Sequence, residues 1–314
     1  MKTFMTINKQ QTLSRKVSFQ GIGLHSGKLS KMNIFPAKED HGITFKRVDL
    51  AKNNLIDAKF SNVVSAKLCT TLANDQGVKV STVEHILAAL YIHGIDNAAI
   101  EIDNEEVPIM DGSAKNFLEE LRSVNIIKQS KKRNYLKVTK KIELFDGNRK
   151  ISIEPSDAFE VKFKLNYKNQ VIGNQENLIN FDKDNLEEVY GSRTFCLFDD
   201  IEKIKKAGLA KGGSLENAIV VKDTGVMNEG GLRNEKEFVN HKILDLAGDF
   251  VLSGYRILGR INCHQGGHEL SNMFLKKLMH NSNKNCFELT NQVKKVPASK
   301  KFINFHSEKV AAIA

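Results

Sequence analysis

Phe238-Val239-Asn240-His241-Lys242-Ile243-Leu244-Asp245-Leu246-Ala247-Gly248-Asp249-Phe250-Val251-Leu252 reads as one amphipathic helix with an unusual polar side. At about 100° per residue, Val239, Ile243, Leu246, Ala247, Phe250 and Val251 fall on a broad apolar face. His241, Lys242, Asp245 and Asp249 share the stripe opposite. His241 and Asp245 stand at i and i+4, so an imidazole nitrogen and a carboxylate oxygen can converge on one ion about 2 Å from each. A solvated helix face carries the same residue types, and there a His–Asp pair contributes only about a few tenths of a kcal/mol. The helix alone does not decide between these readings.

Working outward, the chain has 314 residues with 41% hydrophobic content, enough to bury a substantial core and comfortable for two domains. The formal charge of +10 and pI near 9.2 suggest an anionic partner, but the 47 Lys and Arg are spread widely. With no nucleic-acid motif and no tryptophan, this background favours a phosphorylated small molecule over DNA or RNA. Cys69, Cys196, Cys263 and Cys286 lie far apart with no CxxC pair, which indicates neither a disulfide framework nor a thiolate zinc site. No stretch offers the roughly 18 apolar residues that span a bilayer, and the polar N-terminus has no apolar leader core. A cytoplasmic protein is expected, and one that works as a monomer.

Along the chain, short strands (Lys31–Phe35, Ile43–Val48, Ala98–Ile102) and two helices (Ser81–His93, Ser113–Val124) predict a first mixed α and β unit. Gln129-Ser130-Lys131-Lys132-Arg133-Asn134 has no apolar residue and is the best linker candidate. Tyr135–Phe145 and Lys150–Glu154 flank Asp146-Gly147, a strong hairpin signal that opens a second unit. Strand Glu160–Asn166, a polar loop through Asn174-Gln175, a short helix Asp200–Ala207 and strand Ala218–Val221 follow. Strand Arg256–Asn262 and helix Glu269–His280 complete the unit. The expected division is 1–130, 135–300 and a tail 301–314.

Two further features carry chemistry. Ser81-Thr82-Val83-Glu84-His85 opens an apolar helix. Ser81 with Glu84 three residues later is a capping box, which would explain the glutamate by its bond to the Ser81 amide. A carboxylate beside a histidine is also what a hydrolytic zinc site needs, one to take a proton and the other to hold metal. His85, His241 and Asp245 together make three ligands with a fourth position open, the composition of a catalytic zinc site. His268 follows two glycines between strand and helix. It is either a plain loop residue or a general acid, with Asp249 placed to accept its bond and hold it protonated.

Seven motifs then occur in one order: Gly21-Ile22-Gly23-Leu24-His25-Ser26-Gly27, Leu68-Cys69-Thr70-Thr71-Leu72, Ser81-Thr82-Val83-Glu84-His85, Pro108-Ile109-Met110-Asp111-Gly112-Ser113-Ala114, Ser192-Arg193-Thr194-Phe195, His241-Lys242-Ile243-Leu244-Asp245 and Gly267-His268. In this set and order, over roughly residues 10 to 300, the chain resembles the zinc-dependent UDP-3-O-acyl-N-acetylglucosamine deacetylase family of lipid A synthesis. The resemblance implies an α+β fold of two similar domains, each a small mixed sheet with two helices on one face. The helix layers would meet between the sheets, with the active site at the domain interface. It implies one Zn2+ per chain on His85, His241 and Asp245, a set that Fe2+ would also suit. Glu84 becomes the general base and His268 the general acid, with Asp249 supporting it and Thr194 binding the oxyanion. Lys242 and Phe195 would line the sugar and diphosphate region, and Cys69 would sit near the metal. An insert around 194–219 would form an apolar passage for the acyl chain, with Leu209 in it.

Two rivals remain at this level. One is another metal-dependent hydrolase on the same scaffold, acting on a different acylated sugar or an acyl thioester. The other is a basic, metal-free module that contacts nucleic acid or membrane.

Overall fold

The computed structural model describes residues 8–289, so the expected tail 301–314 lies outside the described residues. Among them, seven helices occur: α1 (Glu84–His93), α2 (Lys115–Arg122), α3 (Glu187–Tyr190), α4 (Ile201–Lys206), α5 (Glu237–Val251), α6 (His268–His280) and α7 (Ser282–Asn285). Two main sheets divide the strands. The first draws only on the N-terminal part, in the spatial order Val17–Ile22, Leu29–Pro36, Ala98–Ile102, Ile43–Arg47, Leu55–Asp57. Its pairs are antiparallel except the parallel pair of Ile43–Arg47 with Ala98–Ile102. Alternation decides its buried face: Met32 and Ile34 point inward between exposed or half-exposed neighbours.

The second sheet is built on the long strand Arg256–His264. Arg149–Glu154 runs antiparallel to it and Phe159–Asn166 and Tyr135–Val138 run parallel. The hairpin expected at Asp146-Gly147 is present, with Asp146 paired to Arg149 and Gly147 in the left-handed region at φ 56°. Each sheet is therefore mixed, and each has helices on its inner face. Phe117 of α2 meets Phe19 of the first sheet edge to face, at 5.2 Å between ring centres. Helix α6 lies against Ile142–Asp146 and Arg149–Glu154, and α1 packs on α5 between the two sheets. This is an α+β sandwich with the helix layers inside.

Several expectations need correction. Gln129–Lys132 is no linker: it belongs to the strand Ile126–Lys132, which pairs antiparallel with Lys9–Leu13. This strand is open to water along nearly its whole length, although its partner Lys9–Leu13 is largely buried, so hydrophobic periodicity cannot reveal it. Gln129 still anchors it, accepting from Asn97 Nδ2 and donating to the Ala37 carbonyl. Asn174-Gln175 likewise opens a strand, Asn174–Asn180, at the exposed edge of the second sheet. The first helix starts at Glu84 rather than Ser81, because Ser81 ends the strand Lys79–Ser81.

Helix α5 is buried on nearly every side, with only Lys242 and Val251 half-exposed. His241, Asp245 and Asp249 are 1%, 5% and 2% exposed, so the polar stripe is buried against α1 and α6. Its one glycine explains how α1 comes so close. A Cβ at Gly248 would stand 2.0 Å from the Glu84 carbonyl oxygen, a backbone atom that cannot swing aside. Helix propensity alone favours Gly248→Ala by about 1 kcal/mol, but overpacking of this kind costs about 1–3 kcal/mol or more. We expect the variant to unfold at a lower urea midpoint than the parent. An unchanged or higher midpoint would show that the two helices have room to separate.

Candidate metal centre

At the start of α1 the capping box does not form. Val83 is the N-cap and has no side-chain cap bond, while the Ser81 hydroxyl donates to the Glu105 carbonyl at 3.1 Å. Glu84 instead turns inward, 3% exposed, and its Oε2 accepts the Thr70 amide at 3.1 Å. The glutamate thus has no structural duty at the helix end. Burial, first of all, raises its carboxyl above the ordinary range; the charge of His268 pulls the other way.

His85, His241 and Asp245 converge from α1 and α5. Asp245 Oδ1 lies 3.4 Å from His85 Nε2 and 3.3 Å from His241 Nε2. Atoms about 2.0–2.1 Å from a tetrahedral ion are about 3.3–3.4 Å apart, so the spacing suits a divalent metal. The protonation states suit it as well. Burial lowers the His241 pKa to about 3, which keeps the ring neutral. His241 Nδ1 faces the Ser192 carbonyl at 3.1 Å; a carbonyl can only accept, so Nδ1 carries the proton and Nε2 presents its lone pair inward. Burial opposes ionisation of Asp245, yet the adjoining His241 ring and the charges of Lys242 and His268 hold it well below the usual carboxylate range. Asp245 Oδ1 and His85 Nδ1 are buried with no hydrogen-bond partner, an orphaning that a metal at this point would relieve for the carboxylate oxygen.

His268 is the first residue of α6, and its Nδ1 donates to Asp249 Oδ2 at 2.9 Å. Its Nε2 points to the same centre, 3.6 Å from Glu84 Oε1 and 3.7 Å from Asp245 Oδ2. Burial would lower its pKa, but the charges of Asp249, Glu84 and Asp245 overcome that and push it up to about 10. Lys242 donates to Asp245 Oδ2 at 3.3 Å and stands over the Phe195 ring at 5.2 Å. Phe195 in turn meets His241 edge to face at 6.3 Å. The Thr194 backbone is fixed from both sides, donating to Gly112 and accepting from Ile219, each at 2.8 Å.

Beside this centre opens a cavity of about 280 Å³ lined by Leu24, Leu68, Phe195, Ile204, Ala218 and Val220, with Thr194 at its wall. Ile201 and Ile204 line it, but Leu209 does not. The α4 turn directs its two isoleucines inward, while Leu209 falls beyond the helix end. Cys69 is buried, and burial together with the Glu84 charge pushes its thiol up to about 12, which keeps it neutral.

Sequence reasoning missed three supports. Arg193 and Glu237 form a buried ion pair, Nε to Oε1 2.8 Å, with Glu237 Oε1 also accepting the Arg193 amide at 3.1 Å. It ties the segment before Thr194 to the first turn of α5. Glu106, 1% exposed, accepts the amides of His25 and Ser26 at 2.8 and 2.7 Å and so shapes one wall of the cavity. Thr70 bonds both Glu84 and Asp249. Their bonds span from 14 to 179 residues of chain, and the only sequence signal was that Thr70 and Arg193 fall inside ordered motifs.

The family model LpxC, UDP-3-O-acyl N-acetylglycosamine deacetylase, matches residues 10–280. A UDP-3-O-acyl-N-acetylglucosamine deacetylase of Geotalea uraniireducens (strain Rf4) is 42% identical over 281 residues, 89% of this chain and 91% of the relative. The protein of that name from Myxococcus xanthus (strain DK1622) is 42% identical, covering 89% of this chain and 88% of its own length. The one from Shewanella oneidensis is 38% identical over 93% of this chain and 96% of its own.

Proposed function

The chain belongs to the UDP-3-O-acyl-N-acetylglucosamine deacetylase family, and from that membership we propose how its own residues carry the reaction. The protein is a hydrolase that removes acetate from UDP-3-O-[(R)-3-hydroxyacyl]-N-acetylglucosamine, leaving UDP-3-O-acyl-glucosamine for lipid A synthesis. We infer that the metal is zinc, one per chain, on His85, His241 and Asp245; the nitrogen and oxygen donor set suits zinc and would accept Fe2+. When bound, the ion supplies Lewis-acid polarisation of the acetamide carbonyl and acidifies water beside it.

The rest of the chemistry falls to side chains. Glu84, ionised, takes a proton from the attacking water. His268, protonated, gives one to the departing glucosamine nitrogen from Nε2, while Asp249 holds the ring by Nδ1. The Thr194 hydroxyl donates to the carbonyl oxygen as negative charge develops there. Lys242 and Phe195 bind the sugar and diphosphate. One observation carries this reading: His85, His241, Asp245, Glu84 and His268 come from three helices of both halves, and their polar atoms face one point. We place the division between the halves at 1–130 and 135–300, with Lys131 and Lys132 completing the last strand of the first half, since each main sheet draws its strands from one side of that boundary only. None of the helices is long and apolar enough to cross a membrane among the described residues. We propose a cytoplasmic monomer.

The cavity beside Thr194 is the passage for the acyl chain, formed by the insert around 194–219 with Leu24 and Leu68. Each buried methylene contributes about 0.8 kcal/mol, and part of that binding orients the acetamide, so losing the chain lowers kcat as well as raising KM. The test measures acetate release from the acylated substrate and from UDP-N-acetylglucosamine, in the parent and in Ile204→Asp. The parent should favour the acylated sugar by about 100-fold or more in kcat/KM, and the carboxylate at 204 should erase most of that preference. Equal kcat/KM for both sugars in the parent would rule the passage out.

A further inference from the structure

We propose that Thr70 is the positioning residue that fixes the general acid and general base relative to each other; this rests on the roles given above to Glu84, His268 and Asp249. Thr70 is 1% exposed and donates to two carboxylates at once. Its backbone N–H reaches Glu84 Oε2 at 3.1 Å, and its hydroxyl reaches Asp249 Oδ1 at 2.6 Å, across 179 residues of chain. Asp249 Oδ2 in turn accepts from His268 Nδ1 at 2.9 Å. A continuous line of bonds therefore runs from the base to the acid, Glu84 to Thr70 to Asp249 to His268, and it crosses from one half of the molecule to the other.

The direction of each bond is fixed by chemistry. An ionised carboxylate only accepts, so the Thr70 hydroxyl must spend its single proton on Asp249. The 2.6 Å separation is that of a charge-assisted O–H···O⁻ bond. With Oδ1 held by Thr70 and Oδ2 by His268, the Asp249 carboxylate cannot turn about its own axis. The imidazole plane is thereby set so that Nε2 faces Glu84 Oε1 at 3.6 Å. The Thr70 carbonyl also accepts the Val83 amide at 3.5 Å, one residue before Glu84. Backbone strain marks the same place. Leu68 and Thr82, two non-glycine residues on the segments that Thr70 joins, sit at φ 64° and 57°, and such conformations persist where surrounding contacts enforce them.

Thr70→Val keeps the shape and loses the hydroxyl; Thr70→Ser restores it. Loss of such an outer support costs about 10- to 100-fold in activity. We expect Thr70→Val to lower kcat by that amount with KM within about 2-fold, with metal content and melting temperature near the parent values. Thr70→Ser should recover most of the loss. In an Asp249→Asn background the valine change should cost little more, because the two act through one bond. Parent-like kcat in Thr70→Val, a loss confined to KM, an equal loss in Thr70→Ser, or full additivity with Asp249→Asn would each overturn the proposal. Should the valine variant not fold, Thr70→Ala against Thr70→Ser carries the same comparison. Glu84→Gln and Asp249→Asn are measured alongside. If those keep parent turnover, the acid–base reading has failed and this inference with it; if they lose turnover and Thr70→Val does not, the positioning role alone has failed.

Discussion

His241→Ala is expected to abolish metal binding and reduce deacetylation by about 10³-fold or more, since the ion supplies several kcal/mol of barrier lowering and each 1.36 kcal/mol is tenfold. His241 is the ligand whose loss should be felt most. Its ring is 1% exposed, kept neutral by burial, and pinned by the Ser192 carbonyl so that Nε2 has no task but to face Asp245 and His85. Alanine leaves His85 and Asp245, and two ligands do not hold a dication tightly. The parent should also melt at a lower temperature after treatment with a chelator, because a metal present at 1,000 times its dissociation constant stabilises the fold by about 4 kcal/mol. His241→Ala should show no such chelator effect. Metal analysis and melting curves of the His85, His241 and Asp245 alanine variants check this. If two of the three kept a full complement of metal, the ligand assignment would be wrong.

How much of this was legible in the sequence depends on the range over which each feature is determined. The i, i+4 pair His241 and Asp245 is local: helix geometry alone sets it, and the helix forms where its apolar spacing says, within one residue at each end. The third ligand is not local. His85 sits 156 positions before His241 by residue number, and only the packing of α1 on α5 brings the two rings to 5.1 Å. The ordered motifs supplied that link, not periodicity.

Errors came where two local rules competed. Ser81 and Glu84 have capping-box spacing, but the strand Lys79–Ser81 claims the serine by pairing with Thr71–Ala73, and the helix begins three residues later. Exposure hid the strands at Ile126–Lys132 and Asn174–Asn180, most of whose side chains are exposed or half-exposed and carry little apolar signal. The polar stripe of α5 was ambiguous for a different reason. A run of His, Lys and Asp reads as solvated until the partners that bury it are known, and those partners, Glu84 and His268, come from elsewhere in the chain. Charges buried without structural need are costly, so their presence in one place is itself the mark of a site.

Glu84→Gln and His268→Ala should each lower kcat by about 10² to 10⁴ while leaving the metal bound. The two residues do opposite work, so their limbs of the kcat/KM profile fall on opposite sides. Glu84 must be ionised; activity is lost as pH falls through its pKa, which burial holds above the ordinary 4.5. His268 must be protonated; activity is lost as pH rises through its pKa, which Asp249, Glu84 and Asp245 together hold up to about 10 against the lowering effect of burial. A dication on Asp245 would offset one of those three charges, so the basic limb of the working enzyme should lie at or below that value. Because Glu84 Oε1 and His268 Nε2 are 3.6 Å apart, the two apparent values belong to the pair. Asp249 supplies the largest of the raising charges on His268. Asp249→Asn should therefore move the basic limb to lower pH and displace the acid limb far less. The measurement is kcat/KM from pH 5 to 11 for the parent and Asp249→Asn, with Glu84→Gln assayed at the parent's optimum. A basic limb unmoved by Asp249→Asn would mean that some other group donates the proton. Near-parent turnover in Glu84→Gln would remove the base from the position where burial, the Thr70 amide and the neighbouring ligand set all converge on it.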